Sequence, residues 1–511
     1  MKRFLTLFIV LLSAHYTNAY ADIDIVKTNS GQISGSLSDD KSVHIFKGIP
    51  FAAPPIGDLR WKAPQPVKPW QSIKQATAFA PSPVQGKPNE FGVYTREFLI
   101  KDEPLSEDCL YLNVWTGAKS ATEKRPVIVW IYGGGYVSGG TNVPIYDGEA
   151  LAKKGVILVS IAYRVGIFGF FAHPELTLES PNHTSGNYGL MDQAAALTWV
   201  QKNIVVFGGD PKNVTIAGQS AGAFSVNYLV ASPLTKGLFA KAIAESGASI
   251  IPTSNNTISL TQAEQQGVKA AELLQAKSLT ELRKLPADVL LKQNNFRPII
   301  DGYFLPQSVA DIFAANKENQ VPLLSGWNED DAFVGKLQNA ADYIAEAKRK
   351  YGDKANEFLT LYPANNDTEA EKSQIRVSRD ITFGGASYRW ANVQSAKKKS
   401  KVYVYRFARR VPASPAFVKY GAFHTAEVGY VFNNLKFLKR QFEPVDQELA
   451  NSISSYWVNF AKAGNPNQDG LPYWPEYEPT TNQIMLLNEK PAATRLPDKE
   501  ALDFALKEMM E

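Results

Sequence analysis

The stretch Phe207-Gly208-Gly209-Asp210-Pro211-Lys212-Asn213-Val214-Thr215-Ile216-Ala217-Gly218-Gln219-Ser220-Ala221-Gly222-Ala223 constrains the fold more than any other part of the chain. Val214 to Ala217 are apolar and mostly β-branched, which predicts a short buried strand entered through a Gly-Gly-Asp-Pro turn. Gly218-Gln219-Ser220-Ala221-Gly222 then fits Gly-x-Ser-x-Gly, a tight strand-to-helix turn that lifts a serine clear of the sheet. A Cβ at either glycine would crowd the strand or the helix. Ala223 to Ala231 is apolar enough to be that helix, and its N-terminal N–H groups would face any negative charge developing beside Ser220.

The rest of the chain supplies a sheet for this turn. Val127 to Tyr132 is a continuous apolar run, as expected of a strand covered on both faces. It leads into Gly133-Gly134-Gly135-Tyr136. Val156 to Ala162 reads as a second such strand, and Gly189 to Asn203 has the apolar spacing of a helix. Further strands are expected over Gln320 to Gly326 and Lys401 to Phe407. A helix is expected over Asn451 to Lys462, with Trp457 and Phe460 on one face. Strands alternating with helices predict an α/β fold with a large, mostly parallel sheet. No linker or repeat divides the 511 residues, and 44% hydrophobic content suffices for one large core.

Residues 1–21 read as a cleaved signal peptide: Lys2-Arg3, the apolar run Phe4 to Leu12, and the Ala19-Tyr20-Ala21 cleavage site. The run is too short to span a bilayer, so no stable membrane insertion is expected after cleavage. Losing the two cations takes the net charge from +4 to +2, and no basic run marks a nucleic-acid partner. Cys109 is the single cysteine, which excludes an internal disulfide and a cysteine zinc site. The five histidines are His15, His44, His173, His183 and His424, with no His-x-x-x-His pair, so a zinc hydrolase is not expected.

The seventeen residues around Ser220 resemble the active-serine signature of the type-B carboxylesterases, the carboxylesterase/cholinesterase branch of the α/β-hydrolases. Phe46-Lys47-Gly48-Ile49-Pro50-Phe51-Ala52, Pro54 to Trp61, and Glu107-Asp108-Cys109-Leu110-Tyr111-Leu112-Asn113-Val114-Trp115 are similar to its other N-terminal passages. Gly464-Asn465-Pro466-Asn467 and Tyr473-Trp474-Pro475 are similar to its closing motifs, so the resemblance covers nearly all of residues 22–511. It implies an α/β-hydrolase fold in a single domain with loop insertions. One departure concerns Cys109. In many relatives this cysteine pairs with one in an upstream Ala-Pro-x-Cys-x-Gln segment, whereas this chain has Pro83 there, so Cys109 is expected to be a free, buried thiol.

The resemblance also implies a mechanism. A serine hydroxyl needs a base beside it and a group to orient that base. Ser220 is the expected nucleophile. His424, in Gly421-Ala422-Phe423-His424-Thr425-Ala426-Glu427-Val428-Gly429-Tyr430, is similar to the family's catalytic-histidine loop and follows in the expected order. Gly326-Trp327-Asn328-Glu329-Asp330-Asp331-Ala332 resembles the acid loop. Position for position the family's glutamate falls on Asp331, with Asp330 and then Glu329 as alternatives. Aspartate is one methylene shorter, so this loop should sit closer to His424. The oxyanion hole is expected from the N–H groups of Gly134, Gly135 and Ala221. Gln219, Ser246 and Glu427 match residues around the family's triad. The family usually has glutamate where Gln219 stands, which weighs against a choline-ester specialist.

These readings together describe an exported serine carboxylic-ester hydrolase acting on a small-molecule ester through an acyl-enzyme, without cofactor or metal. The alternatives are a lipase, an esterase for secondary-metabolite or polyester substrates, and a non-catalytic cholinesterase-like binding module. The exported chain is expected in the periplasm or outside the cell.

Overall fold

Runs of β-branched and aromatic residues set the sheet. A computed structural model describes residues 23–102, 104–251, 258–332, 335–415 and 417–511. The expected signal peptide lies outside the described residues. Eleven strands form the main sheet: β1 Ser36–Leu37, β2 His44–Pro50, β3 Tyr111–Thr116, β4 Arg125–Ile131, β5 Ile157–Ile161, β6 Gly209–Gln219, β7 Lys241–Glu245, β8 Leu323–Asn328, β9 Val402–Phe407, β10 Gln483–Leu487 and β11 Ala492–Arg495. Their spatial order is β11-β10-β9-β8-β7-β6-β4-β5-β3-β2-β1. The pairs from β10 through to β5 are parallel, and both margins are antiparallel. The sheet is thus mostly parallel, as the alternation of strands and helices predicts.

Every residue of β5, β7, β8 and β9 is buried, so both faces of the central sheet are covered. The helices around it include α1 Tyr188–Asn203, α2 Ala221–Ala231, α3 Asp367–Arg379, α4 Gly385–Ala396, α5 Pro444–Ala463 and α6 Lys499–Met510, of which α6 packs on α4 rather than on the sheet. Here α2 packs on β6 and β7, α4 on β8 and β9, and α5 on β4 and β6. The main apolar core draws on residues from Ile23 to Leu506, and two smaller clusters, around Phe358 and around Ile299, lie apart from it among the described residues. Trp457 and Phe460 of α5 are both buried in the main core.

Two of the boundaries that differ from the sequence expectation have a plain local reason. Strand β6 begins at Gly209, which pairs with Arg125 before the register shifts ahead of Val214. Gly208 takes the left-handed turn at φ 81°, and Lys212 N–H donates to Asp210 Oδ1 at 2.9 Å. Helix α5 starts at Pro444, because proline at the first helical position and a reciprocal Glu443–Asp446 capping box begin it on polar residues. In β3 the residues Leu112 to Thr116 are all buried, so both faces of this strand lie in the core. Among the described residues no helix is long and apolar enough to cross a membrane.

Candidate active site

The C-terminal ends of the parallel strands carry the site, as is usual for open α/β sheets. Ser220 stands between β6 and α2 with φ 56° and ψ −124°, a conformation a non-glycine residue holds only when its surroundings over-determine it. The glycines on either side explain why the turn closes. A Cβ on Gly222 would lie 2.0 Å from Ile131 O, and one on Gly218 would lie 2.6 Å from the Gly222 carbonyl carbon. Ser220 N–H donates to Glu245 O at 2.9 Å, pinning the turn to β7. Ser220 is half-buried at the start of α2, whose first N–H groups have no intrahelical acceptor.

The glycine-rich loop after β4 packs against this turn. A Cβ on Gly133 would lie 2.7 Å from Gln219 O and 3.0 Å from Ser220 Cβ. Gly134 and Gly135 have φ of 111° and 61°, and Gly134 O accepts from Val137 N–H and Ser138 N–H, both at 3.1 Å. Among the described residues the N–H groups of Gly134, Gly135 and Ala221 donate to no protein acceptor. Such donors in a tight loop and at a helix start are suited to an oxyanion.

Opposite them, His424 and Asp331 form a buried pair, with His424 Nδ1 2.5 Å from Asp331 Oδ1. Asp331 Oδ2 accepts the N–H of Asn328 at 3.1 Å, which fixes the carboxylate's second oxygen. The two neighbouring acids are engaged elsewhere. Asp330 Oδ2 accepts Ala422 N–H at 2.8 Å, and Glu329 pairs with Arg379 and Arg406. The structure therefore brings Asp331, and neither Asp330 nor Glu329, to the imidazole. The Phe383 ring stacks on His424 at 4.1 Å between centroids and 13° between planes. Gln219 Nε2 lies 3.3 Å from His424 Nε2 and 3.5 Å from Nδ1, so the elbow and the histidine loop touch through this amide. No hydrogen bond joins the Ser220 hydroxyl to His424 among the described residues. Contacts of this kind often tighten only when substrate binds.

A layer of buried polar groups lies behind the pair. Glu427 Oε2 accepts from Asn328 Nδ2 at 2.5 Å, and Asn328 Nδ2 also donates to Phe423 O at 2.8 Å. Ser246 is buried at φ 56° at the end of β7. Glu245 beside it accepts from Trp457 Nε1 at 2.7 Å. Burial, with the charge of Glu427 added, holds the Glu245 carboxyl well above the usual range. Burial, with Asp331 nearby, does the same to Glu427. Burial thus disfavours a negative charge on either of these carboxyls behind the His424–Asp331 pair.

Several members of this constellation were not picked out from the sequence. Glu245 had a signal, a lone acid at the carboxyl end of the apolar strand Lys241–Glu245. Phe383 and Arg379 had none, because they reach the site only through the packing of α3 and one π-helical turn over Asp380–Gly384. Cys109 is free and buried, as expected, and burial pushes its thiol far above its ordinary value. Among the described residues no cluster of His, Cys, Asp and Glu is arranged to hold a metal ion.

Comparison with known proteins decides the family. The model of the carboxylesterase family matches residues 22–505. The chain belongs to the carboxylesterase family. It is an α/β-hydrolase that cleaves carboxylic esters, the chemistry common to that family of serine hydrolases. Among similar proteins, fumonisin B1 esterase of Sphingopyxis macrogoltabida is 37% identical over 469 residues, covering 88% of this chain and 84% of that one. Para-nitrobenzyl esterase of Bacillus subtilis is 35% identical over 497 residues, covering 93% and 97%. A solved PNB esterase structure superposes with a TM-score of 0.78 at 34% identity, covering 94% of this chain and 99% of the other.

Proposed function

We propose that this carboxylesterase works through Ser220, His424 and Asp331. Ser220 Oγ attacks the ester carbonyl while His424 takes its proton, then delivers it to the leaving alcohol. Asp331 holds the imidazole tautomer and stabilises the imidazolium. The N–H groups of Gly134, Gly135 and Ala221 receive the tetrahedral oxyanion, each worth roughly 3 kcal/mol of transition-state stabilisation in comparable sites. Water then releases the acid by the reverse sequence. Gln219 touches the imidazole edge, and Ser246 and Glu427 back the pair without meeting the substrate. The buried 2.5 Å contact between His424 and Asp331, beside a strained serine, carries this reading.

The substrates proposed are short- to medium-chain or bulky carboxylic esters of small molecules. The neutral Gln219 beside His424 favours no cationic alcohol, and one relative is named a fumonisin B1 esterase. Residues 1–21 are proposed to direct export and to be removed, leaving a mature domain from Asp22. The test uses mature protein and Ser220→Ala on p-nitrophenyl acetate, butyrate and palmitate. Hydrolysis of the short esters that disappears in the variant supports the assignment. Hydrolysis that persists contradicts it. A rate jump above the micellar concentration of a long-chain ester would move the substrate class to lipids.

A further inference from the structure

We propose that Gln85 and Tyr94 are positioning residues for ester hydrolysis: one short segment, 84–98, ties the glycine-rich loop and the histidine loop into a single geometry. The inference rests on the roles proposed above for those two loops.

Gln85 is buried, and its amide makes a reciprocal pair with one residue of the glycine-rich loop. Its Nε2 donates to Gly139 O at 2.7 Å, and Gly139 N–H donates to its Oε1 at 2.8 Å. Nε2 also donates to Pro83 O at 2.9 Å, so the side chain cannot turn away without losing three bonds. Gly139 in turn presses on the start of the loop, because a Cβ there would lie 2.5 Å from Gly133 O. Gly133 is the residue in contact with Ser220. The chain of contacts thus runs Gln85, Gly139, Gly133, Ser220, with Gly134 one residue from its middle.

Tyr94 works on the other loop. Its hydroxyl donates to the main-chain O of His424 at 3.1 Å and accepts from Thr425 Oγ1 at 3.4 Å. Burial raises the phenol far above its ordinary value, so the donor proton stays in place. Its ring meets Phe423 edge-on at 5.7 Å. Tyr94 thereby touches three consecutive residues, Phe423, His424 and Thr425. Thr425 has φ 103°, a genuine outlier for a β-branched residue, and such strain persists only where neighbours hold it. The segment itself is anchored: Arg440 Nη2 donates to Val93 O at 2.7 Å, and Lys439 N–H donates to Glu97 Oε1 at 2.9 Å. Its entry is closed without a covalent link, by pairing of Ser82 and Pro83 with Leu105 and Ser106.

Tyr94→Phe and Gln85→Leu test this, with rates expressed per active site titrated by a fluorophosphonate. Tyr94→Phe is expected to lower kcat about fivefold, the worth of one net hydrogen bond, with KM nearly unchanged. Gln85→Leu is expected to lower it by more, about thirtyfold, since it removes a reciprocal pair. In both, inhibition by a trifluoromethyl ketone should weaken in step with kcat/KM, because the lost geometry serves the transition state. Wild-type kcat per titrated site in Tyr94→Phe, whatever its melting temperature, would overturn the proposal. Should Gln85→Leu not fold, Tyr94→Phe carries the test alone. Failure of the underlying roles looks different: wild-type enzyme that the fluorophosphonate does not label.

Discussion

Exchanging Asp331 for glutamate, the residue usual in the family, should damage this enzyme. The Asp331 carboxylate already lies 2.5 Å from His424 Nδ1, and the residue has no exposed surface. Its second oxygen is held by Asn328 N–H. A further methylene pushes the carboxyl forward by about 1.5 Å, one C–C bond, into a contact with no slack. Either the loop retreats, breaking the Asn328 bond, or the imidazole shifts off its line. A displacement near 1 Å in a catalytic constellation costs on the order of a hundredfold in rate. Asp331→Glu should therefore lower kcat about a hundredfold. Asp331→Asn, which keeps the shape but removes the charge and favours the wrong tautomer, should lower it about ten-thousandfold. The assay is kcat and KM on p-nitrophenyl butyrate per titrated active site, with melting curves to confirm folding. Asp331→Glu within threefold of wild type would refute the claim that this loop is spaced for aspartate. Near-normal activity in Asp331→Asn would remove Asp331 from the triad altogether.

Two further outcomes follow from groups behind the site. Asp498 pairs with the buried Arg379 and Arg406, which also hold Glu329. Asp498→Asn should cost roughly 3 kcal/mol, as expected for unpairing buried charge. At about 2.1 cal/mol/K per residue over 511 residues, that is a melting point lower by about 3 °C. Burial alone would raise the Asp498 carboxyl, but Arg406 and then Arg379 hold it well below the usual range. The difference between wild type and variant should therefore be full above pH about 4 and shrink in more acid solution. A difference that stays constant into acid would contradict this. Glu427 runs the other way. The folded protein keeps its proton after the unfolded chain has released it, so stability falls as pH rises above about 4.3, by up to about 1.4 kcal/mol per unit. Urea melts of Glu427→Gln should show a growing advantage over wild type across that window, and parallel pH curves would count against a protonated Glu427.

Much of this was legible because it is local. The elbow, the buried strands and the glycine-rich loop are set by short-range sterics, so Gly218, Gly222 and the run Val127 to Ile131 declared them directly. The order of Ser220, Asp331 and His424, with so few histidines, narrowed the candidates further. What stayed hidden is joined only in three dimensions. Phe383 meets His424 because a π-helical turn aims it there, and Tyr94 reaches across 330 residues to the His424 carbonyl. Glu245 looks like an ordinary acid in sequence, and only its burial, with that of Glu427 beside it, raises both carboxyls above their ordinary range. The start of α5 was missed for a simpler reason: its first turn, Pro444 to Gln447, is mostly polar, and the proline and capping box that begin it are short-range signals.

The central claim is that Ser220 carries the acyl group, and the mass of the trapped intermediate tests it most directly. Enzyme quenched in acid during turnover of p-nitrophenyl butyrate, then digested, should yield a butyrylated peptide containing Gly218-Gln219-Ser220-Ala221-Gly222. The same peptide should carry the phosphonyl group after fluorophosphonate treatment, and neither adduct should form in Ser220→Ala. An acyl adduct on another residue, or turnover by the Ser220→Ala variant at the wild-type rate, would contradict the account.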